Sequence, residues 1–182
     1  MEELVFPKVF PQIETERLFL REITNQDKQA VFNNFSDPEV AKWFFDQPLT
    51  EMAQVVEIIT AFGNEFKRGE GLTWAVELKE DAKCIGTCGY GDINLGQRGE
   101  IGFDLARDRW GKSLMSEALA PVIAYGFDIL RLAKIEAHSY SNNTRAINLL
   151  EKMGFQLERI SEENHFYSIS QNDFTPRRNN RR

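Results

Sequence analysis

Apolar positions along this chain switch between a two-residue and a helical period, and the switches mark out its elements. Arg17-Leu18-Phe19-Leu20-Arg21 alternates as a strand with one buried face does, after an arm containing Pro7 and Pro11. Thr24 then stands at a helix start with Asp27 three residues on, a capping-box-like pair, and Ala30, Val31, Phe32 and Phe35 supply apolar contacts. Asp37-Pro38-Glu39 opens a short helical segment that ends in Trp43-Phe44-Phe45. Thr50 is expected to cap a longer helix, in which Val55, Ile58, Ile59, Phe62 and Phe66 recur at helical spacing until Gly69 ends it.

A meander follows. Residues 72–78 alternate, Glu80-Asp81 turns, residues 83–90 return, and residues 98–105 form the next strand. The glycines at Gly86, Gly89, Gly91, Gly96, Gly99 and Gly102 imply bulges or turns. They make no dinucleotide fingerprint, because Gly86-Thr87-Cys88-Gly89-Tyr90-Gly91 has the wrong order of spacings. The helix after Gly111 presents Met115, Ala118, Leu119, Val122, Ile123, Gly126, Phe127 and Leu130 on one broad face. Pro121 removes a backbone donor from it, at a cost of roughly 3 kcal/mol unless a neighbour compensates, and predicts a kink. Residues 134–140 read as a strand and residues 143–153 as a helix stopped by Gly154. Residues 155–160 and 166–170 then form a hairpin around Ser161-Glu162-Glu163-Asn164.

With 182 residues, the chain suits one domain, expected over residues 13–175, between an arm at 1–12 and a basic tail at 176–182. The tail, Arg177-Arg178-Asn179-Asn180-Arg181-Arg182, reads as a solvated terminus, with a basic contact arm as the other reading. A net charge of −6 argues against nucleic acid as the main ligand. No apolar run suits a membrane span and the first residues are acidic, so a cytoplasmic location is expected. Cys84 and Cys88, if on one face of a strand, lie about 13 Å apart, too far for a disulfide. They are expected to be buried thiols, and no metal-ligand cluster accompanies them or His138 and His165. His138 is expected to be a buried, hydrogen-bonded imidazole in a central strand, with a catalytic base as its other reading.

The chemically pointed stretch is Asp108-Arg109-Trp110-Gly111-Lys112-Ser113, which joins the strand at 100–105 to the long helix. A small-residue turn there gathers free N–H groups and the positive end of a helix dipole, a natural seat for a phosphate. Asn142-Asn143-Thr144-Arg145-Ala146 opens a second helix that closes with Met153-Gly154-Phe155. Together the two signals suggest a phosphorylated cofactor.

The order of elements and these motifs resemble the GNAT superfamily of N-acetyltransferases, in the branch typified by enzymes that acetylate ribosomal-protein N-termini (RimJ/RimL-like). The likeness runs from Glu14-Thr15-Glu16-Arg17-Leu18 through Trp110-Gly111-Lys112, Glu117-Ala118-Leu119 and Tyr125-Gly126-Phe127 to Leu150-Glu151-Lys152-Met153-Gly154-Phe155. It implies an α/β (α+β) fold with a mixed, mostly antiparallel, splayed sheet flanked by helices, and acetyl-CoA as cosubstrate bound between two central strands, without a metal. It assigns the pyrophosphate to the main chain of Arg109, Trp110, Gly111, Lys112, Ser113, Leu114 and Met115, and the pantetheine arm to the backbone of Phe103, Asp104 and Leu105 and to Asn143. On the residues alone, Asn143 reads as a helix N-cap, and only the resemblance gives it a cofactor role. Ser113 stands where the family turn usually has Gly or Ala; Ser is small, and cofactor binding is expected to survive. Ala146 stands where relatives often carry a Ser proposed to protonate the departing thiolate.

Acetyl transfer to an amine requires a neutral amine, a donor for the developing oxyanion and an outlet for the thiolate. An α-amino group, with a pKa of about 7.7 to 8.0, is far easier to deprotonate than a lysine-like amine near 10.4. Glu100, at the start of the cofactor strand, is the first candidate base, directly or through water, and an exposed strand carboxylate is its other reading. A main-chain N–H around Phe103 to Leu105 would meet the oxyanion. Ser141 and Tyr140 are the candidate acids by proximity in sequence. Trp43 and Phe44, with Phe45, form an acceptor wall or simply core, and Glu162 and Glu163 either draw in a cationic acceptor or are solvated.

The expected activity is therefore direct acetyl transfer from acetyl-CoA to a primary amine, a peptide N-terminus or a small amine, by a monomer or homodimer with no nucleic-acid or membrane partner. Two rivals stand beside it: an inactive acyl-CoA-binding sensor or interaction module on the same fold, and a nucleotide-phosphate enzyme such as a kinase. The second lacks Walker-type spacing.

Overall fold

The computed structural model of the chain describes residues 4–174, so the basic tail expected at 176–182 lies outside the described residues. The elements are β1 (Ile13–Glu14), β2 (Leu18–Glu22), α1 (Lys28–Ser36), α2 (Pro38–Ala41), α3 (Met52–Arg68), β3 (Leu72–Leu78), β4 (Lys83–Asn94) and β5 (Arg98–Leu105). They continue with α4 (Leu114–Asp128), β6 (Lys134–Tyr140), α5 (Thr144–Lys152), β7 (Gln156–Ile160) and β8 (Asn164–Ser170). The strands form one eight-stranded sheet in the order β1-β2-β3-β4-β5-β6-β8-β7. Every neighbouring pair is antiparallel except β5 with β6.

The strand alternation is realised as two apolar faces. One carries Leu18, Leu20, Trp74, Val76, Tyr90, Ile101 and Ile135 against the stripe of α4 and against Leu150 of α5. The other carries Ala75 against Val31 and Phe35 of α1 and Val55 and Ile59 of α3. The sheet is therefore sandwiched, with α4 and α5 on one face and α1–α3 on the other. Tyr90 locks α4 down: its hydroxyl donates to Val122 O at 2.9 Å. Only glycine fits at position 126, where a Cβ would stand 2.3 Å from that hydroxyl. α4 runs on through Pro121.

Three local expectations change. The cap of α3 is Glu51 rather than Thr50, because Gln54 Oε1 reaches back to accept from the N–H groups of both Thr50 and Glu51 at 3.0 Å. The strand expected over 83–90 extends to Asn94, paired with Arg98. Cys84 and Cys88 lie on opposite faces, Cys88 among the α4-side core and Cys84 against the α1–α3 side. The register of β3 on β4 explains it: Val76 faces Gly86 while Glu77 faces Cys84, so a bulge at Ile85 reverses the alternation. Both thiols are free, and burial is the main cause that pushes Cys84 up to about 12 and pushes Cys88 up as well.

One buried polar knot ties α1 to the sheet. Asp104 of β5, 6% exposed, accepts from Asn34 Nδ2 and from Thr87 Oγ1 of β4. Burial pushes its carboxyl up to about 7, against the lowering effect of those donors. Asn34 Oδ1 is buried without a partner among the described residues, and with the amide turned over a protonated Asp104 would donate to it. Between about pH 4 and pH 7 the folded chain thus holds a proton that the unfolded chain releases. Stability from this group is present at low pH and lost as pH rises through that window, by up to about 1.4 kcal/mol per pH unit. Asp104→Asn removes that dependence: urea unfolding of variant and parent should show the variant gaining on the parent as pH rises from about 5 to 8.

Candidate active site

The site begins where β5 and β6 part. Their parallel register covers only Arg98, Gly99 and Glu100 against Lys134, Ile135 and Glu136. Beyond it β5 stays on β4 as far as Leu105, and β6 stays on β8 as far as Tyr140, leaving a fissure through the sheet. Ala106 N–H turns to Ile85 O of β4 at 2.8 Å. By the two-residue alternation of a strand, Phe103 and Leu105 therefore turn their backbone groups to the open side. Leu105 O is met there by Trp110 Nε1 at 2.8 Å.

At the end of β5 a single 3-10 turn (Arg107–Arg109) leads to the N-terminus of α4. Gly111 (φ 75°) and Ser113 (φ 58°) both adopt left-handed backbone. This curls the chain so that the N–H groups of residues 111–116 have no hydrogen-bond partner among the described residues. Such a run of free donors at a helix N-terminus holds phosphate. The turn is braced from outside. Arg17 donates through Nε to Glu117 Oε2 at 2.6 Å and through a terminal nitrogen to Lys112 O at 3.1 Å. Glu117 Oε1 accepts in addition from Thr15 Oγ1 at 2.6 Å and Arg17 N–H at 2.7 Å, and these donors outweigh burial and hold its carboxyl below the usual range.

A cleft of about 460 Å³ follows, lined by Phe103, Asp104 and Leu105, the turn at Arg109, Trp110, Gly111, Ser113, Leu114 and Met115, and Asn143. Thus the cofactor residues expected from sequence meet at one place, apart from Lys112, whose amine is turned away onto Asp108 O at 3.0 Å. Asn143 serves in both of its readings, capping α5 through Oδ1 to Ala146 N–H at 3.3 Å while lining the cleft. Residues that the sequence reading passed over also line it: Arg145, whose guanidinium lies 4.4 Å from the Trp110 ring centroid, and Lys152 one helical stripe further on. They make one wall cationic, beside Arg109, whose guanidinium lies 3.2 Å from Asp108 and 3.7 Å from Asp81.

On the opposite face of the sheet a second groove of about 530 Å³ is roofed by Phe35, Phe44, Phe45 and Phe62 and floored by Gly91, Glu100, Gly102 and Asp104. The two spaces share Phe44, Phe103 and Asp104 and so meet at the fissure. Trp43 also lines the cofactor cleft, its ring 6.1 Å from that of Tyr140. Glu100 accepts from His138 Nδ1 at 2.6 Å. That bond holds the Glu100 carboxyl below its usual range despite partial burial, and raises His138. His138 is hydrogen bonded as expected but about half exposed, not buried, because the parting of β5 and β6 uncovers it.

Other expected site residues stand apart. Ser141 is exposed beyond the end of β6, its N–H bonded to Glu163 O at 2.8 Å, and its side chain lines neither space. Glu162 and Glu163 are exposed in the β7–β8 turn and likewise line neither. Among the described residues no cluster suits a metal and no helix is long and apolar enough to cross a membrane.

Free turn donors, an unpaired strand edge and a cationic wall in sequence along one cleft define a binder of an extended, phosphate-bearing cofactor. Residues 17–156 match the model of the acetyltransferase (GNAT) domain, and the chain belongs to that family. It is 34% identical over 153 residues to an N-acetyltransferase of Bacillus subtilis, YoaA, covering 84% of this chain and 86% of that one. It is 39% identical over 147 residues to N-acetyltransferase p20 of Bacillus licheniformis, covering 80% and 83%. Among solved structures it resembles the ribosomal-protein-S5-alanine acetyltransferase of Vibrio fischeri, with a TM-score of 0.76 and 22% identity over 91% of this chain and all of that one. The protein is an acetyl-CoA-dependent acetyltransferase that acts on an amine.

Two outcomes test the turn. Ser113→Gly relieves left-handed strain and should stabilise the protein by on the order of 1 kcal/mol in urea unfolding, whereas Ser113→Val should do the reverse. Arg17→Met releases Lys112 O and should raise KM for acetyl-CoA severalfold while kcat changes less than about twofold, read in steady-state kinetics.

Proposed function

We propose that the protein transfers acetyl from acetyl-CoA directly to a primary amine, of a peptide N-terminus or a small molecule, with the two cosubstrates entering from opposite faces of the sheet. The observation that carries this reading is the junction of the cofactor cleft and the phenylalanine-roofed groove at Phe44, Phe103 and Asp104. The turn at residues 111–116 and the Arg109, Arg145 and Lys152 side chains fit the phosphates, and the open edge of β5 fits the amide-bearing arm. Bound there, acetyl-CoA supplies an activated acyl group on a thiol leaving group.

The chain's own part is to orient and discharge the amine. Glu100 lies on the groove floor just where the strands part and stays ionised, so it draws the ammonium to the fissure. It receives the amine's proton, directly or through one water, with His138 beside it at 2.6 Å as the route outward. Phe103 N–H, on the edge of β5 that β6 leaves open, donates to the acyl oxygen as charge develops. Ala146 offers no hydroxyl to the departing sulfur and Ser141 lies outside the cleft. A thiol with a pKa near 8.5 leaves without a dedicated acid at moderately alkaline pH.

Thiol release from acetyl-CoA over a panel of amines tests this directly. Glu100→Gln should lower kcat/KM for the amine at least tenfold with the affinity for coenzyme A unchanged in calorimetry. Full activity in that variant would assign the proton to another group.

A further inference from the structure

The second groove also says what kind of amine it takes. On the reading that it is the acceptor site, we propose that its occupant is a primary amine with a bulky apolar body, either an arylalkylamine or a peptide N-terminus with a large apolar first side chain.

Two features of the floor make room for such a body. Gly91 and Gly102 both line the groove, and a Cβ built on either meets no atom within 4 Å. Neither glycine needs left-handed backbone, so conformation does not demand them there. Their effect is an open, side-chain-free stretch beside Glu100. Above it Phe35, Phe45, Ile58 and Phe62 offer only carbon, with Phe35 and Phe45 edge-to-face at 5.2 Å. An apolar body placed between glycine floor and aromatic roof is desolvated on both sides.

The charges set the end of the groove at which the amine sits. The groove carboxylates other than Asp104 are Glu65, Asp92 and Glu100, gathered toward the Gly91 end. Asp92 already holds Arg98 at 2.6 Å and Glu100 holds His138, while Glu65 has no ion-pair partner among the described residues. One further ammonium beside Glu100 is well matched. Along the aromatic stretch the faces of the rings offer a cation less than the water it would give up. A slim polyamine also fills a wide floor poorly.

The test uses the full chain saturated with coenzyme A and measures amine binding by calorimetry, with turnover read separately by thiol release. The probes are a phenylalkylamine, a short peptide beginning with Phe, the same peptide beginning with Gly, and spermidine. At least one of the first two should bind tenfold or more tightly than spermidine and the Gly peptide. Comparing those two with each other distinguishes a small-molecule acceptor from a peptide. Gly102→Val should weaken the favoured probe at least tenfold while coenzyme A affinity stays within twofold. Gly91→Ala and Phe62→Ala provide second variants on the floor and the roof, each expected to shift the same preference. Equal or tighter binding of spermidine, no binding by any probe, or a Gly102→Val protein that binds as the parent does would overturn the assignment. Apolar-amine binding without turnover would instead keep the assignment and strike at the acetyl-transfer reading of the groove.

Discussion

Everything functional in this structure depends on three hydrogen-bonded register positions and no more. Arg98, Gly99 and Glu100 pair with Lys134, Ile135 and Glu136, and then the only parallel contact in the sheet ends. Each strand keeps its antiparallel partner beyond that point, so the sheet stays whole while one edge of β5 is left with donors and acceptors to satisfy. An unpaired edge inside a protein would be costly unless something fills it. Trp110 takes one of its carbonyls, and the rest have the geometry of a vacant strand position, which suits an amide-bearing arm. The same parting uncovers His138 and lets it reach Glu100, joining across the fissure the pair proposed to handle the proton.

Because the fissure passes through the sheet, the two sides acquire opposite characters. The α4–α5 side presents Arg109, Arg145 and Lys152 with a turn of free N–H groups, and the α1–α3 side presents carboxylates among phenylalanines. An overall charge of −6 does not foretell this division. Two left-handed residues are needed to form the turn, and one of them, Ser113, carries a side chain that disfavours the conformation. The Arg17–Glu117 brace on Lys112 O offsets that tendency from the far end of the chain.

Most of the fold was legible because its determinants are local. The strand alternation, the Gly69 stop, the Asp37-Pro38 start and the Asn143 cap rest on neighbours within a turn of chain, and the phosphate turn announces itself by its small residues and its place between strand and helix. What was misread depends on distant chain. The bulge at Ile85 reverses the facing of Cys84 relative to Cys88, and the parting of β5 from β6 decides that His138 is open while Ser141, Glu162 and Glu163 fall outside both cavities. Arg145 and Lys152 had a usable signal, an i, i+7 polar stripe on a helix that opens beside the phosphate turn, but choosing that face required knowing where α5 packs.

The two carboxylates on the groove face of β5 show how one strand can serve both stability and chemistry. Glu100 and Asp104 are four residues apart and share a face, yet their surroundings drive them in opposite directions, Glu100 down beside His138 and Asp104 up under α1. The tempting assignment makes Asp104, near neutrality, the base. Its oxygens, however, already receive Asn34 and Thr87, and it is 6% exposed, so an incoming ammonium has little of it to meet. Its work is done through α1. Asn34 anchors that helix to the sheet, and the adjacent Phe35 then forms part of the groove's aromatic roof. The buried carboxyl therefore helps set the height of the roof above Glu100, and the proton it carries belongs to the fold, while the proton that moves in catalysis belongs, on the proposed mechanism, to the Glu100–His138 pair.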